Sequence, residues 1–550
     1  MKLRPLGLLL GAVLLTHLPL LRAGYVQDDH VAVEAAHGSS GILTASYWEG
    51  LKGGDRSLWR PVTVATYAAE RAVFGRPIPS VSHTINLLLH AAVCGLIYAI
   101  ARAWGLSEIA ALLGALLFAV TPAKSEAVAN VVGRAELLAA LFTLAAVRLA
   151  LARPSRAAAW GAGLAVLLAC SAKETGFASF PLVAIAVLVA EPRSRPREIA
   201  GMLLPTLLAV VVVAIARTHA LEAFFPPQTI PVMDNPLVAE GVAHRLATAL
   251  ALVGRYAAIA LFPWRLSNDY AGASVPIERG LLGWRPLVGA AILVAGVALA
   301  ARGRRWALVV AIVLLPYLLV GNLLVPVGAI MAERFLYLPA AGLALLAASA
   351  TDRWKPARTA ASVTVAILAV LMFARAIDWR SDATIFAATA RNNPKSPRAP
   401  YWLGSIAGDE GNTDAALREF DAAIRNWPAF APPWLDRGLV LARRGALDEA
   451  RSAFAETVRL DPSWADAHLD LALALHRAGD RASALKSARK AALADPADAK
   501  AWAEVGHLFF ETGDFGGAAS AYRRAVDLGR SDLTGRLREA ESRRGSRADP

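Results

Sequence analysis

The sequence is poor in charged residues, which make up only 18% of its 550 residues. Soluble domains carry about a quarter, and 56% of this chain is hydrophobic. The composition therefore predicts that most residues face lipid or a buried helix rather than water. Cysteine is scarce too, and Cys94 and Cys170 both fall within apolar runs. This excludes a disulfide framework and predicts two buried thiols.

Motifs of the common soluble enzymes are absent. The chain has no Walker loop and no G-x-S-x-G elbow, and no pair of histidines at metal-ligand spacing with a matching carboxylate. The net charge of +13 comes without a basic face interleaved with aromatic residues, so we predict no nucleic-acid partner. The motifs imply no cofactor, and the question of a divalent metal stays open.

Long apolar segments dominate residues 1–380. A helix needs about 20 apolar residues to cross a bilayer, and twelve segments approach that length: 5–22, 84–102, 106–121, 135–151, 157–172, 175–190, 199–216, 244–263, 285–301, 306–324, 335–350 and 358–376. The first lacks a small-x-small cleavage site, so we predict an uncleaved span rather than a signal peptide. The predicted fold class is all-α, beginning with a polytopic helical membrane domain.

Arginine and lysine residues cluster in alternate loops, and the positive-inside rule places such loops in the cytoplasm. These loops lie near residues 2–4, 102, 148–156, 193–197, 302–305 and 353–358. Three apolar segments separate 193–197 from 302–305, and an odd number of crossings cannot return the chain to the same side. Segment 244–263 has Arg255 at its middle, where a charge is costly. We therefore predict that this segment is interfacial or re-entrant.

About eleven crossings remain, and they set the sidedness of the whole chain. The first loop, 23–83, and the C-terminal domain are then predicted on the non-cytoplasmic side of the membrane. If the source is a bacterium, this is the outer face of the inner membrane.

A period of 34 residues begins near Pro397. The recurring positions include Gly411, Gly445, Gly479 and Gly513, then Ala416, Ala450, Ala484 and Ala518, and then Pro428, Pro462 and Pro496. This pattern is typical of tetratricopeptide repeats, in which small residues let paired helices approach and a proline ends the second helix. We predict a linker over 381–396, four repeats over 397–530 and a charged tail or capping helix over 531–550. Such an α-solenoid predicts a protein partner.

The predicted outward loops hold polar residues that a membrane domain does not need for insertion. Asp28 and Asp29 follow the first span, where partial desolvation suits a general base or an electrostatic clamp. A helix N-cap or plain surface charge is the alternative. His83, Asn86 and His90 share one helix face, for which hydrogen bonding between helices is the alternative role.

Three further outward loop ends place a basic residue beside a carboxylate. They contain Lys124, Glu126, Arg134 and Glu136, then Lys173 and Glu174, and then Glu333 and Arg334. One such pair is typical of an interfacial anchor. Three such pairs on the same side favour a site for a lipid-linked phosphate, because one guanidinium group can donate two hydrogen bonds to the oxygens of a phosphate.

Six motifs occur in a fixed order before the repeats: Y-V-Q-D-D-H, W-R-P-V-T, H-T-I-N-L-L-L-H, E-A-V-A-N-V-V-G-R-A-E, A-K-E-T-G and A-E-R-F-L-Y-L-P. Together they resemble the transmembrane and tetratricopeptide repeat-containing family. Members of that family are similar to class C glycosyltransferases and are linked to O-mannosylation of secretory proteins. The resemblance covers nearly the whole chain. It implies a polyprenyl-phosphate sugar donor and, as acceptor, a Ser or Thr hydroxyl of an exported protein.

The resemblance assigns a role to the acid pair, and the basic loop ends supply the other candidate site residues. The acidic motif of the family falls on Asp28 and Asp29, one of which would act as the base of an inverting transferase. The candidate contacts for the donor phosphate are Arg60, Lys173 and Arg334. The supporting residues are His83, Asn86, His90, Lys124, Glu126, Arg134, Glu174 and Tyr337.

One loop departs from the family pattern. Family members often have H-P-V-H-T-E where this chain has T-P-A-K-S-E at 121–126, so no metal or proton role is carried over, and Lys124 becomes a substitute phosphate contact. The alternative function is a non-catalytic, membrane-anchored scaffold whose repeats recruit envelope proteins. A transporter is disfavoured because the spans show no inverted repeat broken by Gly or Pro.

Overall fold

The computed structural model describes residues 3–33, 58–152, 155–190, 196–225 and 229–545. Part of the predicted first loop (34–57) and the end of the predicted tail (546–550) lie outside the described residues. Within these ranges the chain forms α-helices and short 3-10 turns and no β-strand, which confirms the all-α prediction. The chain divides into two compact units, Met1–Pro394 and Lys395–Pro550.

The first unit contains sixteen α-helices among its described residues. They are α1 (Leu3–Thr16), α2 (Asp29–Ala32), α3 (Pro61–Phe74), α4 (Pro79–Ala103), α5 (Glu108–Val120), α6 (Ser125–Ala129), α7 (Arg134–Ala150), α8 (Arg156–Ala172), α9 (Ser179–Ala190), α10 (Pro196–Leu221), α11 (Val242–Leu261), α12 (Trp284–Ala301), α13 (Arg304–Val320), α14 (Tyr337–Arg353), α15 (Lys355–Asp378) and α16 (Asp382–Asn392). Each of the twelve predicted apolar segments overlaps one of these helices.

Several of these helices are long and apolar enough to cross a membrane. Among the described residues five qualify by length and hydropathy, or six when the bent pair Glu108–Val120 and Pro122–Ala129 counts as one span. The chain is thus a membrane protein in its first unit, and the number of about eleven crossings stays a prediction. Helix α16 belongs to the first unit, although it lies within the predicted linker.

The basic loops that follow α4, α12 and α14 meet at one end of the helices, which we call the basic end; residues 191–195 of another predicted basic loop lie outside the described residues. Three hydrogen bonds lie at this end: the Ser107 N–H to Asp352 Oδ1 (2.9 Å), Arg304 Nη1 to the Leu188 carbonyl (3.0 Å) and Arg305 Nη1 to the Trp104 carbonyl (3.1 Å). The turns of the opposite end carry the predicted acidic and basic candidates, and we call it the site end. Prolines open α3 and α4 there, because the first helical position needs no N–H donor.

The loops on both sides of helix α11 (Val242–Leu261) contact the segment that precedes α14. The loop before it is tied to the segment that precedes α14, because Asn235 Nδ2 donates to Asn322 Oδ1 (2.7 Å). The loop after it is tied to the same segment, because the Ser267 N–H donates to Glu333 Oε1 (2.6 Å). Both flanking loops therefore lie on one side. That segment 244–263 is interfacial or re-entrant stays a prediction.

Sidedness is testable by cysteine labelling, since the two native cysteines are buried. Single cysteines replace Ser155 in the predicted cytoplasmic loop between α7 and α8, Val232 at the site end and Ala482 in the repeats, all of them exposed. In spheroplasts we expect a membrane-impermeant maleimide to label the variants at 232 and 482 without permeabilisation. The variant at 155 should react only after permeabilisation. Labelling of 482 together with 155 would place the repeats on the wrong side for the predicted topology.

The second unit consists of paired helices. They are α17 (Arg398–Asp409), α18 (Thr413–Asn426), α19 (Ala431–Arg444), α20 (Leu447–Leu460), α21 (Ala465–Arg477), α22 (Arg481–Ala494), α23 (Ala499–Glu511), α24 (Phe515–Asp527) and α25 (Thr534–Gly545). In the second pair, a Cβ on Gly438 would lie 2.6 Å from the Phe454 ring, so the close approach of α19 and α20 requires glycine. In the third pair the equivalent residues are Ala472 and Ala488, and no ring fills the space.

Candidate active site

A cavity of about 310 Å³ opens at the site end of the first unit. Its polar lining comes from several separate stretches of chain: Asp28, Arg60, Glu126, Asn130, Glu136, Lys173, Glu174 and Arg334. Much of the remaining wall is apolar and includes Leu319, Val320, Val327 and Phe335. A concave site with an apolar wall and a few convergent polar groups is typical of ligand binding.

Glu174 holds two guanidinium groups at one side of this cavity. Arg60 donates to Glu174 Oε2 through Nη2 (2.8 Å) and Nε (3.2 Å), and Arg217 Nη1 donates to Oε1 (3.3 Å). Two cations share one carboxylate, so the group as a whole is positive. Arg217 is not among the site residues predicted from the sequence. Its sequence signal is a single arginine near the end of an apolar segment, where a charge is retained only with a partner.

Two further ion pairs bring the other predicted cations to the same cavity. Lys173 pairs with Glu136, and Arg334 pairs with Glu126, whose second oxygen accepts the Arg334 backbone N–H (2.9 Å). Burial lowers the pKa of Lys173; Glu136 opposes this shift, and the positive charges of Arg60 and Arg334 add to it. The three predicted phosphate contacts therefore lie within electrostatic range of one another.

The adjacent aspartates have different surroundings. Asp29 is fully buried, and its carboxylate accepts the backbone N–H groups of Val132 (2.8 Å) and Val26 (3.3 Å). Burial raises the pKa of Asp29 to about 7, although these hydrogen bonds act against the shift. Asp28 is exposed and lines the cavity, where its charge acts on the Arg334 guanidinium. Asp29 thus anchors the loop, and Asp28 faces the site.

The segment that carries Asp28 is also held by residues near the C-terminal end of the first unit. Asp382, at the start of α16, accepts the Gln27 backbone N–H at Oδ1 (2.9 Å) and a ring N–H of His30 at Oδ2 (3.1 Å). The Gly24 N–H donates to the Arg380 carbonyl (3.1 Å). Both sides of the aspartate pair are therefore fixed by residues 380–382.

Arg134 and Asn86 lie behind the cavity wall. Arg134 is fully buried, forms an ion pair with Glu70 and donates through Nε to Asn86 Oδ1 (2.9 Å). Asn86 Nδ2 in turn donates to two carbonyls of the turn 128–130 (3.3 Å each). This network holds the loop that carries Glu126. Glu70, which the sequence analysis did not single out, is the acidic member of the network.

His83 and His90 make hydrogen bonds between elements. His83 Nε2 donates to the Gly24 carbonyl (3.1 Å) and so supports the chain just before Asp28. His90 Nε2 donates to the Ala119 carbonyl (3.1 Å), which leaves Nδ1 to accept the Tyr337 hydroxyl (2.8 Å). His90 thus makes a hydrogen bond between helices, the alternative role named above, and His83 bonds a helix to a loop.

Lys124 is buried outside the cavity lining. Its Nζ lies 4.5 Å from the centre of the Phe118 ring and donates to the Thr121 carbonyl (3.4 Å). Lys124 is therefore not positioned to contact a phosphate in this cavity. The described part of the chain also holds no group of three His, Cys, Asp or Glu side chains arranged to bind a metal ion.

The chain is similar to a repeat family and to several known proteins. The tetratricopeptide repeat family matches residues 383–429, 403–465 and 469–532. The chain is 26% identical over 481 residues to human protein O-mannosyl-transferase TMTC3 (78% of this chain, 52% of the relative). It is 26% identical to mouse protein O-mannosyl-transferase TMTC4 (66% and 57%) and to protein O-mannosyl-transferase F38B6.6 of Caenorhabditis elegans (68% and 54%). The chain spans about half the length of the curated relatives it matches.

Two solved structures are similar to part of this chain. One is YrrB, described as a TPR protein with an unusual peptide-binding site, with 17% identity, a TM-score of 0.29 and coverage of 30% of this chain and 86% of that one. Another is MamA, with 19% identity, a TM-score of 0.26 and coverage of 28% and 85%. The relatives and the family match confirm both the predicted resemblance and the tetratricopeptide repeats.

Proposed function

We propose that this chain, a relative of the animal protein O-mannosyl-transferases, is a membrane glycosyltransferase. It would transfer a mannose-like sugar from a polyprenyl phosphate to a Ser or Thr hydroxyl of an exported protein. One observation carries the proposal: the Asp28 carboxylate lines the same cavity as Arg60, Lys173 and Arg334, beside an apolar wall. A base, a cluster of cations and an apolar surface are what such a reaction requires.

The cations suit the donor phosphate. Glu174 orients the guanidinium of Arg60, and Glu126 orients that of Arg334, so each guanidinium is fixed before the donor arrives. Fixed cations stabilise the negative charge that develops on a leaving phosphate more than they stabilise the bound donor, which lowers the barrier. The apolar residues between 319 and 335 that line the cavity provide a surface for the first isoprene units of the lipid.

Asp28 suits the acceptor. Its carboxylate would take the proton of the Ser or Thr hydroxyl while the hydroxyl oxygen attacks the anomeric carbon of the sugar. The bond between that carbon and the phosphate oxygen breaks, and its electron pair remains on the phosphate, so the anomeric configuration inverts. Asp29 acts as a positioning residue, because it fixes the backbone on which Asp28 stands.

The cation roles are tested by removing one charge at a time. We expect Arg60→Gln and Arg334→Gln each to lower transfer by about 10- to 100-fold, the range for loss of one charge-assisted contact to a developing anion. The assay follows label from a polyprenyl-phosphate mannose to a Ser/Thr peptide, with purified protein in nanodiscs. Arg353→Gln, at the basic end and exposed, is the matched control and should keep the wild-type rate.

Two outcomes of this assay would reject the proposal. If both site variants transfer sugar as fast as the control, the cations do not bind the donor. If the wild-type protein transfers none of a panel of polyprenyl-phosphate sugars, the membrane-anchored scaffold becomes the better account of the chain.

A further inference from the structure

The third repeat differs from its neighbours at a position that is tryptophan in the second and fourth. Trp434 and Trp502 each donate their indole N–H to the carbonyl of the proline that ends the preceding repeat, Pro428 (3.0 Å) and Pro496 (3.1 Å). His468 lies 34 residues from both and makes the same bond through Nε2 to the Pro462 carbonyl (3.0 Å). The smaller ring keeps the hydrogen bond and leaves space.

Other substitutions widen that space. In the second repeat, Arg437 bridges Asp421 (2.8 Å) and Glu449 (3.8 Å) across the equivalent surface. The residues 34 positions later are Leu471, Ala455 and Ser483, which are smaller and uncharged. An open groove of about 400 Å³ results, bounded by α20, α21 and α22.

The groove combines an apolar floor with a basic rim. The floor is formed by Ala455, Val458, Leu471 and Leu475, and the rim includes Arg451, Lys486 and Lys490. Lys486 and Lys490 are exposed, and neither forms an ion pair with another described residue. Helix α22 has four cationic residues and no carboxylate, so the rim attracts anions.

The buried ring of His468 adds a hydrogen-bond requirement. Its Nε2–H donates to the Pro462 carbonyl, so Nδ1 is a hydrogen-bond acceptor. Nδ1 has no donor among the described residues. The residue is only 2% exposed, so water does not readily replace that donor. Burial lowers the pKa of His468, which keeps the ring neutral. A buried acceptor without a donor is costly, so an occupant that brings an N–H would be favoured.

We propose that this groove binds an acidic polypeptide segment. One bulky apolar side chain of the segment lies on the floor, its carboxylates face the lysines of the rim, and an N–H donates to His468 Nδ1. Phosphate groups of an anionic lipid would satisfy the lysines but bring no donor for the histidine. Binding at this groove does not depend on the transferase function of the first unit.

The test uses the full chain in nanodiscs of zwitterionic lipid. The probe is a fluorescent peptide of about ten residues with one Trp flanked by Glu, and the matched probe has Lys in place of Glu. We expect the acidic peptide to bind and the basic peptide not to bind. Replacing Lys486 and Lys490 by Ala should weaken binding about tenfold, the combined size of two exposed charge contacts. Lys500→Ala, which lies in a different cavity, should leave binding unchanged.

The decisive variant is His468→Trp. Because two other repeats hold Trp at this position, the fold is expected to persist, which a thermal melt checks, while the ring fills the groove and abolishes binding. Wild-type binding by His468→Trp would overturn the proposal. Equal binding of the acidic and basic peptides would also overturn it. So would a result in which the protein binds vesicles of anionic lipid but neither peptide.

Discussion

Asp28→Asn is expected to lower the rate of sugar transfer by about 10²- to 10⁴-fold, the usual contribution of a general base, and to leave the protein folded. The amide keeps the size of the side chain and cannot accept a proton. Asp28 is exposed and faces the cavity, so the substitution does not bury a new polar group. The measurement is the single-turnover rate in nanodiscs, with the thermal melt of the same sample.

Asp29→Asn is the matched control, since the same chemical change falls on the next residue. Here the amide nitrogen replaces one of the two oxygens that accept backbone N–H groups of Val26 and Val132. We expect destabilisation by about 1–3 kcal/mol and a smaller loss of rate than in Asp28→Asn. If the two variants exchange these behaviours, with Asp29→Asn folded and inactive, the base has been assigned to the wrong aspartate.

Arg134→Met is expected to destabilise the first unit by about 3–5 kcal/mol, because it leaves the Glu70 carboxylate buried without its cation. Asn86 loses its guanidinium partner at the same time. The measurement is chemical unfolding of the purified protein in detergent. Arg353→Met, an exposed arginine at the basic end, should change stability by less than about 0.5 kcal/mol.

A double variant separates charge burial from packing. Replacing Glu70 by Leu together with Arg134→Met removes both charges, so it should recover part of the lost stability. If the double variant is less stable than Arg134→Met alone, the buried pair is not what holds this region, and the hydrogen bonds of Arg134 to its other neighbours carry the effect.

Hydrophobic length made the helices predictable, and the 34-residue period did the same for the repeats. The partners in each ion pair could not be predicted from the sequence. Lys173 and Glu174 are neighbours along the chain, yet Lys173 pairs with Glu136, and Glu174 pairs with Arg60. Consecutive residues on a turn point in different directions, so adjacent charges rarely face each other. The sequence shows that charges gather in the outward loops, and only the fold determines which ones meet.

The two aspartates illustrate the same limit. Nothing in Y-V-Q-D-D-H distinguishes Asp28 from Asp29, because both are carboxylates at the start of one short helix. The direction of each side chain depends on the turn 131–133, which supplies N–H donors to Asp29 from more than a hundred residues away. Lys124 likewise has the charge of a phosphate contact, but the packing of α5 places it beside Phe118.

The attachment of residues 380–382 to the loop of Asp28 determines where the protein can be truncated. A fragment ending at residue 380, the predicted limit of the membrane domain, would lack Asp382 and with it the acceptor for the Gln27 N–H and the His30 ring. Loss of activity in such a fragment would be mistaken for a need for the repeats. A stop codon after Pro394, the last residue of the first unit, retains α16 and removes only the solenoid.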